Sequence, residues 1–219
     1  MKTEKEILEI AFQMFLEKGF SEISTNEIIR EAGLTKGGFY YSFKSREELD
    51  RKVIEHYLKP FFVVALQQMQ MCWENRHELS AQQMLWKGFF EPMCFERYQK
   101  WLGEDVPFRN FYFLLYEGMK KFPEVIADSR AFAAEKAAFL RKILKRGQER
   151  GEILETIDME NYTTMILAMQ DGILALKLLD DTIDDKEKYA MIQEQIWKEF
   201  SFRTEHGRVA NGGVMSAVS

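Results

Sequence analysis

Apolar residues recur along this chain at the spacing of an α-helix, and no segment has the alternating pattern of a β-strand. The first apolar stripe consists of Ile7, Leu8, Ala11, Phe12 and Phe15. Helix-start signals accompany such stripes, because a Ser precedes a Glu by three residues at Ser24–Glu27 and at Ser45–Glu48. This spacing is typical of a capping box. The sequence therefore predicts an all-α fold.

Composition narrows the class of protein further. The 219 residues are 46% apolar and 30% charged, which is ordinary for a globular protein. No apolar run reaches the roughly 18 residues that a membrane helix needs, and the N-terminus has no signal-peptide core. We therefore expect a cytoplasmic protein without a membrane partner. We find no catalytic grouping of residues and no Cys or His cluster at metal-ligand spacing, so we expect neither an enzyme, nor a cofactor, nor a metal.

The second and third predicted helices are short and meet at a tight turn around Gly33, which is the arrangement of a helix-turn-helix. In the third helix Phe39 and Phe43 are four residues apart, so both can pack inward with Leu34. This choice turns five residues towards solvent: Thr35, Lys36, Gly37, Tyr40 and Tyr41. Tyr hydroxyls and Lys amines donate to phosphates, and Tyr rings can contact thymine methyl groups. The pattern predicts a surface for double-stranded DNA.

Gly37 and Gly38 support this interpretation. Each glycine costs a helix interior about 1 kcal/mol relative to alanine, so two together indicate a close approach to the backbone. The net charge of −5 is unusual for a DNA-binding protein, but it is unevenly distributed. Residues 1–33 carry −3, whereas residues 34–59 carry +2. A local basic patch, not the total charge, governs contact with phosphates.

The run from Leu34 to Leu49, LTKGGFYYSFKSREEL, closely resembles the signature of the tetracycline-repressor (TetR) family of regulators. The resemblance covers about residues 5–52. Its upstream positions are Ala11, Phe15, Gly19, Thr25, Ile28, Ala32 and Gly33. It implies a homodimer whose last two helices form the interface. It also implies a small-molecule inducer, bound in the C-terminal domain, that releases the protein from operator DNA.

Individual roles follow from the same resemblance. Thr25 is expected to meet a phosphate at the start of the second helix. Lys36, Gly37, Tyr40 and Tyr41 are expected to face DNA from the third helix, and Lys44 to meet a phosphate just after it. Gly38 departs from the family pattern, in which Thr, Ser or Ala is frequent, so one base-edge contact is missing.

These inferences divide the chain into three predicted regions. Residues 1–48 form a three-helix helix-turn-helix DNA-binding domain, residues 49–205 a larger helical ligand-binding and dimerisation domain, and residues 206–219 a flexible tail. Nine aromatic or Met residues are candidates for lining an inducer cavity, although they could equally fill a plain core: Trp73, Phe89, Phe90, Met93, Trp101, Tyr112, Tyr116, Met165 and Met169.

Polar candidates near this region are Arg109, Glu117, Asn161, Gln170 and Asp171. A buried carboxylate such as Asp171 would favour a cationic ligand, although it could equally cap a helix or pair within the fold. The main interpretation is a DNA-binding regulator of the repressor type, which a ligand releases from DNA. Two alternatives remain: a helical small-molecule-binding protein that has kept only the regulator fold, and an adaptor whose third helix binds protein.

Overall fold

The structure, a computed structural model, describes residues 2–102 and 106–201, apart from the side chains of residues 101, 102 and 201. Within these ranges the chain folds into helices and no strand, so the predicted all-α class is confirmed. The α-helices are α1 (Glu4–Lys18), α2 (Thr25–Glu31), α3 (Lys36–Ser42), α4 (Arg46–Val53), α5 (Lys59–Glu74), α6 (Ala81–Met84), α7 (Phe95–Leu102), α8 (Phe108–Lys121), α9 (Pro123–Glu149), α10 (Met159–Leu179) and α11 (Asp185–Ser201). The predicted tail, 206–219, lies outside the described residues.

The N-terminal helices begin where the capping residues predict. Ser24 accepts a hydrogen bond from the Glu27 amide, and the Glu27 carboxylate accepts one from the Ser24 amide. Ser45 caps α4 by accepting a hydrogen bond from the Glu48 amide, while the Glu48 carboxylate accepts one from the Lys44 amide. Gly33 ends the α2 region with φ of 64°, a left-handed conformation that glycine adopts without strain. The helices then bury their apolar stripes together, and α1 packs against α2 and α4.

α4 and α5 form one continuous helix that is interrupted by a π-helical turn, Ile54–Leu58. The Lys59 amide donates to the Ile54 carbonyl, five residues earlier. Pro60 follows directly and has no amide hydrogen to donate, which favours a local change of helix type. The predicted interruption near Pro60 is therefore confirmed.

Two expected helix boundaries are wrong. The caps at Ser80 predict one helix to Leu102, but the chain forms α6, a π-helical segment (Leu85–Phe90), a 3₁₀ turn (Glu91–Met93) and then α7. Pro92 in that turn cannot donate a helical hydrogen bond. We also expected the following long helix to begin at Ser129, whereas α9 begins at Pro123, where the missing N–H has no helical partner to lose.

The C-terminal helices enclose an aromatic core. Phe61 on α5 contacts the rings of Phe111 and Tyr112 on α8 and of Phe132 on α9. α9 packs against α5, α8 and α10, and α8 also contacts α1. This last contact joins the core to the N-terminal helices. In the part of the chain that is described, no helix combines the length and apolar character required to cross a membrane.

Candidate nucleic-acid interface

α3 has one buried and one exposed face. Phe39 and Phe43 are completely buried, with ring centroids 5.5 Å apart, whereas Tyr40 and Tyr41 are 55% and 81% exposed. Thr35 caps the helix, because its hydroxyl accepts a hydrogen bond from the Gly38 amide at 3.1 Å. The helix is therefore fixed from within while its tyrosines are presented outward.

The predicted DNA-contacting residues surround this exposed face. Thr35, Lys36, Gly37 and Lys44 are exposed, and Gly38 is half-buried. Thr25 is also half-buried and is the first residue of α2, next to the capping Ser24. Of the eight predicted DNA-contacting residues, seven therefore lie on α3 or within two residues of its ends. Their contacts with DNA stay predictions.

Ion pairing distinguishes the six basic residues of the segment from 34 to 59. Arg46 points inward and donates to the carbonyls of Ile23 and Phe20 at 2.6 and 2.9 Å. Four of the six have carboxylate partners: Arg46 with Asp50, Arg51 with Glu124, Lys52 with Glu4 and Glu48, and Lys59 with Glu55 and Asp128. Among the described residues, Lys36 and Lys44 form no ion pair. The available positive charge therefore lies on either side of α3.

The chain's own packing does not require glycine at position 37. A Cβ atom added at Gly37 would have only the Thr35 hydroxyl nearby, at 3.9 Å. At Gly38 it would lie 3.4 Å from the same hydroxyl, which is ordinary contact. Neither glycine has a positive φ. The space beside Gly37 is thus open to a molecule outside the chain.

Glu117 has a different place from the one expected. It was a polar candidate for a ligand site, but its carboxylate on α8 accepts hydrogen bonds from the amides of Phe20 and Ser21, both at 2.8 Å. The Ser21 hydroxyl donates to it at 2.6 Å. On the same helix, Lys121 Nζ lies 3.3 Å from an Asp50 carboxylate oxygen. α8 therefore fastens the α1–α2 connection and α4 to the C-terminal core.

The nine candidates for lining a cavity do not form one site. Phe89, Phe90 and Met93 are fully buried core residues, while Met169 and Tyr116 are exposed. Trp73 lines a separate groove between α5 and α9, where Lys142 lies over its ring. Met165 is half-buried on α10, Tyr112 is buried on α8, and the Trp101 side chain lies outside the described part. The nine residues therefore lie in several different places, and their role in ligand binding stays a prediction.

Lys136 is a buried basic residue in the C-terminal core. Its Nζ donates to Gln170 Oε1 at 2.8 Å and lies 3.7 Å from an Asp171 carboxylate oxygen. Burial lowers the pKa of Lys136, and Asp171 only partly opposes this effect. The Asp171 side chain is itself 68% exposed, so the expectation of a buried carboxylate at this position is wrong.

Three other polar atoms in the C-terminal helices are buried without a hydrogen-bond partner among the described residues. They are Gln170 Nε2, Tyr112 Oη and Tyr189 Oη. Burial is the main cause that raises the pKa values of both tyrosines. Tyr116 adds to the effect on Tyr112, Tyr112 adds to the effect on Tyr189, and Asp185 and Asp171 contribute less to both. We call Lys136, Gln170, Tyr112 and Tyr189 the Lys136 cluster; its members come from α9, α10, α8 and α11.

Sequence reasoning missed Lys136, although a signal was present. The residue falls between Phe132 and Leu140 at four-residue spacing, on the apolar stripe of α9. A charged residue in such a stripe is almost never fully buried without a partner, so it marks a position worth testing. The other polar candidates serve structural contacts: Arg109 donates to the carbonyl of Leu178, and Asn161 to the carboxylate of Asp158.

Comparison with known proteins agrees with this geometry. The family model described as "Bacterial regulatory proteins, tetR family" matches residues 7–52. Over 54 residues the chain is 41% identical to an uncharacterized HTH-type transcriptional regulator, YfiR, of Bacillus subtilis. This match covers 25% of the present chain and 26% of YfiR, so the chain is aligned with only about a quarter of that relative's length.

Two comparisons extend beyond the N-terminal helices. The HTH-type transcriptional repressor BepR of Brucella suis is 24% identical over 173 residues, which are 79% of each chain. SmeT, the repressor of a multidrug efflux pump of Stenotrophomonas maltophilia, has the same fold, with a TM-score of 0.60 and 17% identity over 100% of this chain and 98% of SmeT. The N-terminal region of the chain is thus similar to the tetR family of bacterial regulatory proteins, and the similarity to a repressor extends over most of the chain.

Proposed function

We propose that this chain is a cytoplasmic DNA-binding transcriptional regulator that acts as a homodimeric repressor and leaves its operator when a small molecule binds the C-terminal domain. In this proposal residues 1–48 read DNA and residues 49–205 bind ligand and form the dimer. The observation that carries it is the exposed face of α3, where Tyr40, Tyr41 and two unpaired lysines surround an open approach to Gly37.

The chemistry of this face suits a duplex. Lys36 and Lys44 can neutralise phosphates at either end of α3, and the two tyrosines can donate to phosphates or contact thymine methyl groups. Large exposed aromatic side chains are costly to leave in water, so their exposure indicates a partner. The positive local charge favours nucleic acid over an apolar protein groove.

Dimerisation is supported by what remains exposed on the last two helices. On these two helices, four large apolar side chains are buried within the chain's own core: Ile166, Tyr189, Ile196 and Phe200. Leu176 and Leu179 on α10 and Met191 on α11 remain exposed, Leu179 to 82%. A two-fold dimer would bury this strip and present two copies of α3 to successive major grooves, about 34–36 Å apart.

Release by ligand requires a connection between the two regions, and α8 provides one. Tyr112 in the C-terminal core and Glu117 at the α1–α2 connection lie on this helix, about 7–8 Å apart along its axis. A ligand that binds better to a displaced α8 would shift the population towards a dimer with differently spaced readers.

The test is fluorescence anisotropy of the full chain on labelled DNA from upstream of its own gene, across a salt series. We expect tight binding that weakens steeply with salt, and at least tenfold weaker binding by the double variant Lys36→Ala/Tyr41→Ala. The matched control, Lys145→Ala/Phe113→Ala, removes an exposed lysine and an exposed aromatic residue outside α3 and should bind normally.

If folded, dimeric protein binds neither this fragment nor any sequence selected from random DNA, the regulator proposal is wrong. The small-molecule-binding alternative then becomes the better one. Salt-insensitive capture of a protein through α3 would favour the adaptor.

A further inference from the structure

The Lys136 cluster is energetically unfavourable in the chain without a ligand, because its polar groups are buried and poorly paired. Lys136, Gln170, Tyr112 and Tyr189 are each at most 5% exposed. A buried polar group without a hydrogen bond destabilises the folded chain, and a buried ammonium does so more strongly. The core therefore contains three buried polar atoms without a hydrogen bond and an ammonium with one short hydrogen bond. Together they destabilise the folded chain in the absence of a ligand.

We propose that the Lys136 cluster is the polar end of the ligand site and that the ligand is a hydrophobic carboxylic acid. This inference rests on the proposed function, because it specifies the chemical class of the small molecule that would release the DNA. The sign of the ligand's charge is opposite to the one expected from a buried Asp171.

The donors define the carboxylate. An amine, an amide NH₂ and two phenols can each donate a hydrogen bond, and a carboxylate has two oxygens that accept about four. One ammonium balances one negative charge, whereas a dianion such as a phosphate would leave charge uncompensated in the core. Asp171 is exposed at the edge of the cluster, so it can turn to water when the ligand takes its place beside Lys136.

The aromatic side chains around the Lys136 cluster indicate what the rest of the ligand should be. The Tyr112 ring lies 4.6 Å from the Phe108 ring and 5.8 Å from the Phe61 ring, and Tyr189 stacks on Phe90 at 5.5 Å. Phe132 lies beside the ammonium, with its ring centroid 5.4 Å from Lys136 Nζ. Such aromatic walls favour a flat or apolar body attached to the acid group.

The test uses three probes of equal shape and different charge on the full chain: 2-naphthoate, 2-naphthalenemethanol and 2-naphthylmethylammonium. Calorimetric titration should show that the carboxylate binds at least tenfold more tightly than the alcohol. The ammonium should bind no more tightly than the alcohol. Equal affinities, a preference for the ammonium, or binding of none of the three would each overturn the proposal.

Two variants assign the effect to the cluster. Tyr112→Phe removes a hydroxyl without a described partner, so the melting temperature should stay or rise while carboxylate affinity falls several-fold. Lys136→Met replaces the ammonium by an apolar, unbranched side chain that is one atom shorter, and it should reduce carboxylate affinity to that of the alcohol. The control Lys142→Met changes an exposed lysine of the same helix and should keep the preference.

These outcomes are separable from a failure of the proposed function. Calorimetry contains no DNA, so a carboxylate preference that needs Lys136 stands even if α3 reads no operator. Conversely, tight operator binding with no carboxylate preference refutes this inference and leaves the regulator proposal intact. A preference that survives both Tyr112→Phe and Lys136→Met would place the acid elsewhere and also refute it.

Discussion

Asp50 is a buried carboxylate between two cations from different parts of the chain. Its oxygens lie 2.6 Å from Arg46 Nε and 3.3 Å from Lys121 Nζ, and its side chain is 2% exposed. Asp50→Ala should lower the free energy of unfolding by about 3 kcal/mol, because it leaves Arg46 partly buried without its carboxylate. Urea denaturation checks this value. Glu47→Ala, an exposed carboxylate on the same helix, is the control, and equal small losses would contradict the prediction.

Gly37 is expected to separate folding from DNA binding. Gly37→Ala should raise the free energy of unfolding by about 0.5–1 kcal/mol, because alanine favours the helix and the added Cβ meets no clash. The same methyl group would stand where DNA approaches, so operator affinity should fall at least tenfold. Denaturation and anisotropy on one sample measure both effects. Unchanged operator affinity would exclude a close approach of DNA at this residue.

Lys44 and Tyr41 should differ in what they contribute. Lys44→Ala should weaken binding to operator and random DNA alike. It should also make the slope of log binding constant against log salt concentration shallower by about one, as expected for the loss of one phosphate contact. Tyr41→Ala should weaken operator binding more than binding to random DNA. Anisotropy on both DNAs at several salt concentrations distinguishes them. Equal losses for Tyr41→Ala would remove this residue from base readout.

At the scale of the elements, the π-helical segment Leu85–Phe90 is packed tightly against its neighbours. A Cβ atom at Gly88 would lie 2.6 Å from Phe139 Cζ and 2.8 Å from Cys72 Sγ. Gly88→Ala should therefore lower the free energy of unfolding by about 1–3 kcal/mol, as overpacking of a core does. Urea denaturation checks it beside Gly37→Ala, the same substitution in open space. Unchanged stability would mean that Phe139 moves aside at no cost.

Helix starts were predictable because capping is local. Ser24, Ser45 and Asp158 cap the helices that follow them, and each was visible within four residues of sequence. The exposed face of α3 was equally predictable. If Phe39 and Phe43 are buried, the helical geometry turns Tyr40 and Tyr41 towards solvent. The 3₁₀ turn at Pro92 was not predicted, because the helix that begins after the Ser80 cap was expected to continue through Pro92.

Side-chain partners from distant parts of the sequence were not predictable in the same way. Arg46 counted towards a basic patch, but it bonds to carbonyls 23 and 26 residues away. Glu117 binds amides 96 and 97 residues away, and Lys136 meets Gln170 at a separation of 34. Such contacts depend on how the helices pack, and no local pattern encodes that.

For the whole molecule, the exposed strip on α10 and α11 predicts the oligomeric state. Leu176→Glu would place a charge in the proposed dimer interface, so the variant should be monomeric at micromolar concentration and bind operator weakly. Light scattering coupled to size-exclusion chromatography measures the mass. Met71→Glu, an equally exposed apolar residue on α5, is the matched control. If both variants stay dimeric, this strip is not the interface.

Glu117 provides the last prediction, because it links the C-terminal core to the α1–α2 connection. The amides of Phe20 and Ser21 donate to its carboxylate, so Glu117→Ala should raise their hydrogen-exchange rates about tenfold or more. The DNA-reading helices would then be held less firmly to α8, and a ligand that displaces α8 should release operator DNA less completely.

Hydrogen exchange measured residue by residue by NMR, with DNA release measured by anisotropy, checks both parts. Glu135→Ala, on the exposed face of α9, is the control and should change neither. Unchanged exchange at Phe20 and Ser21 would show that the Glu117 hydrogen bonds do not hold this connection in solution. Faster exchange with full release would mean that the signal from the core reaches α3 by another route, for which Lys121 and Asp50 are the remaining contact between α8 and α4.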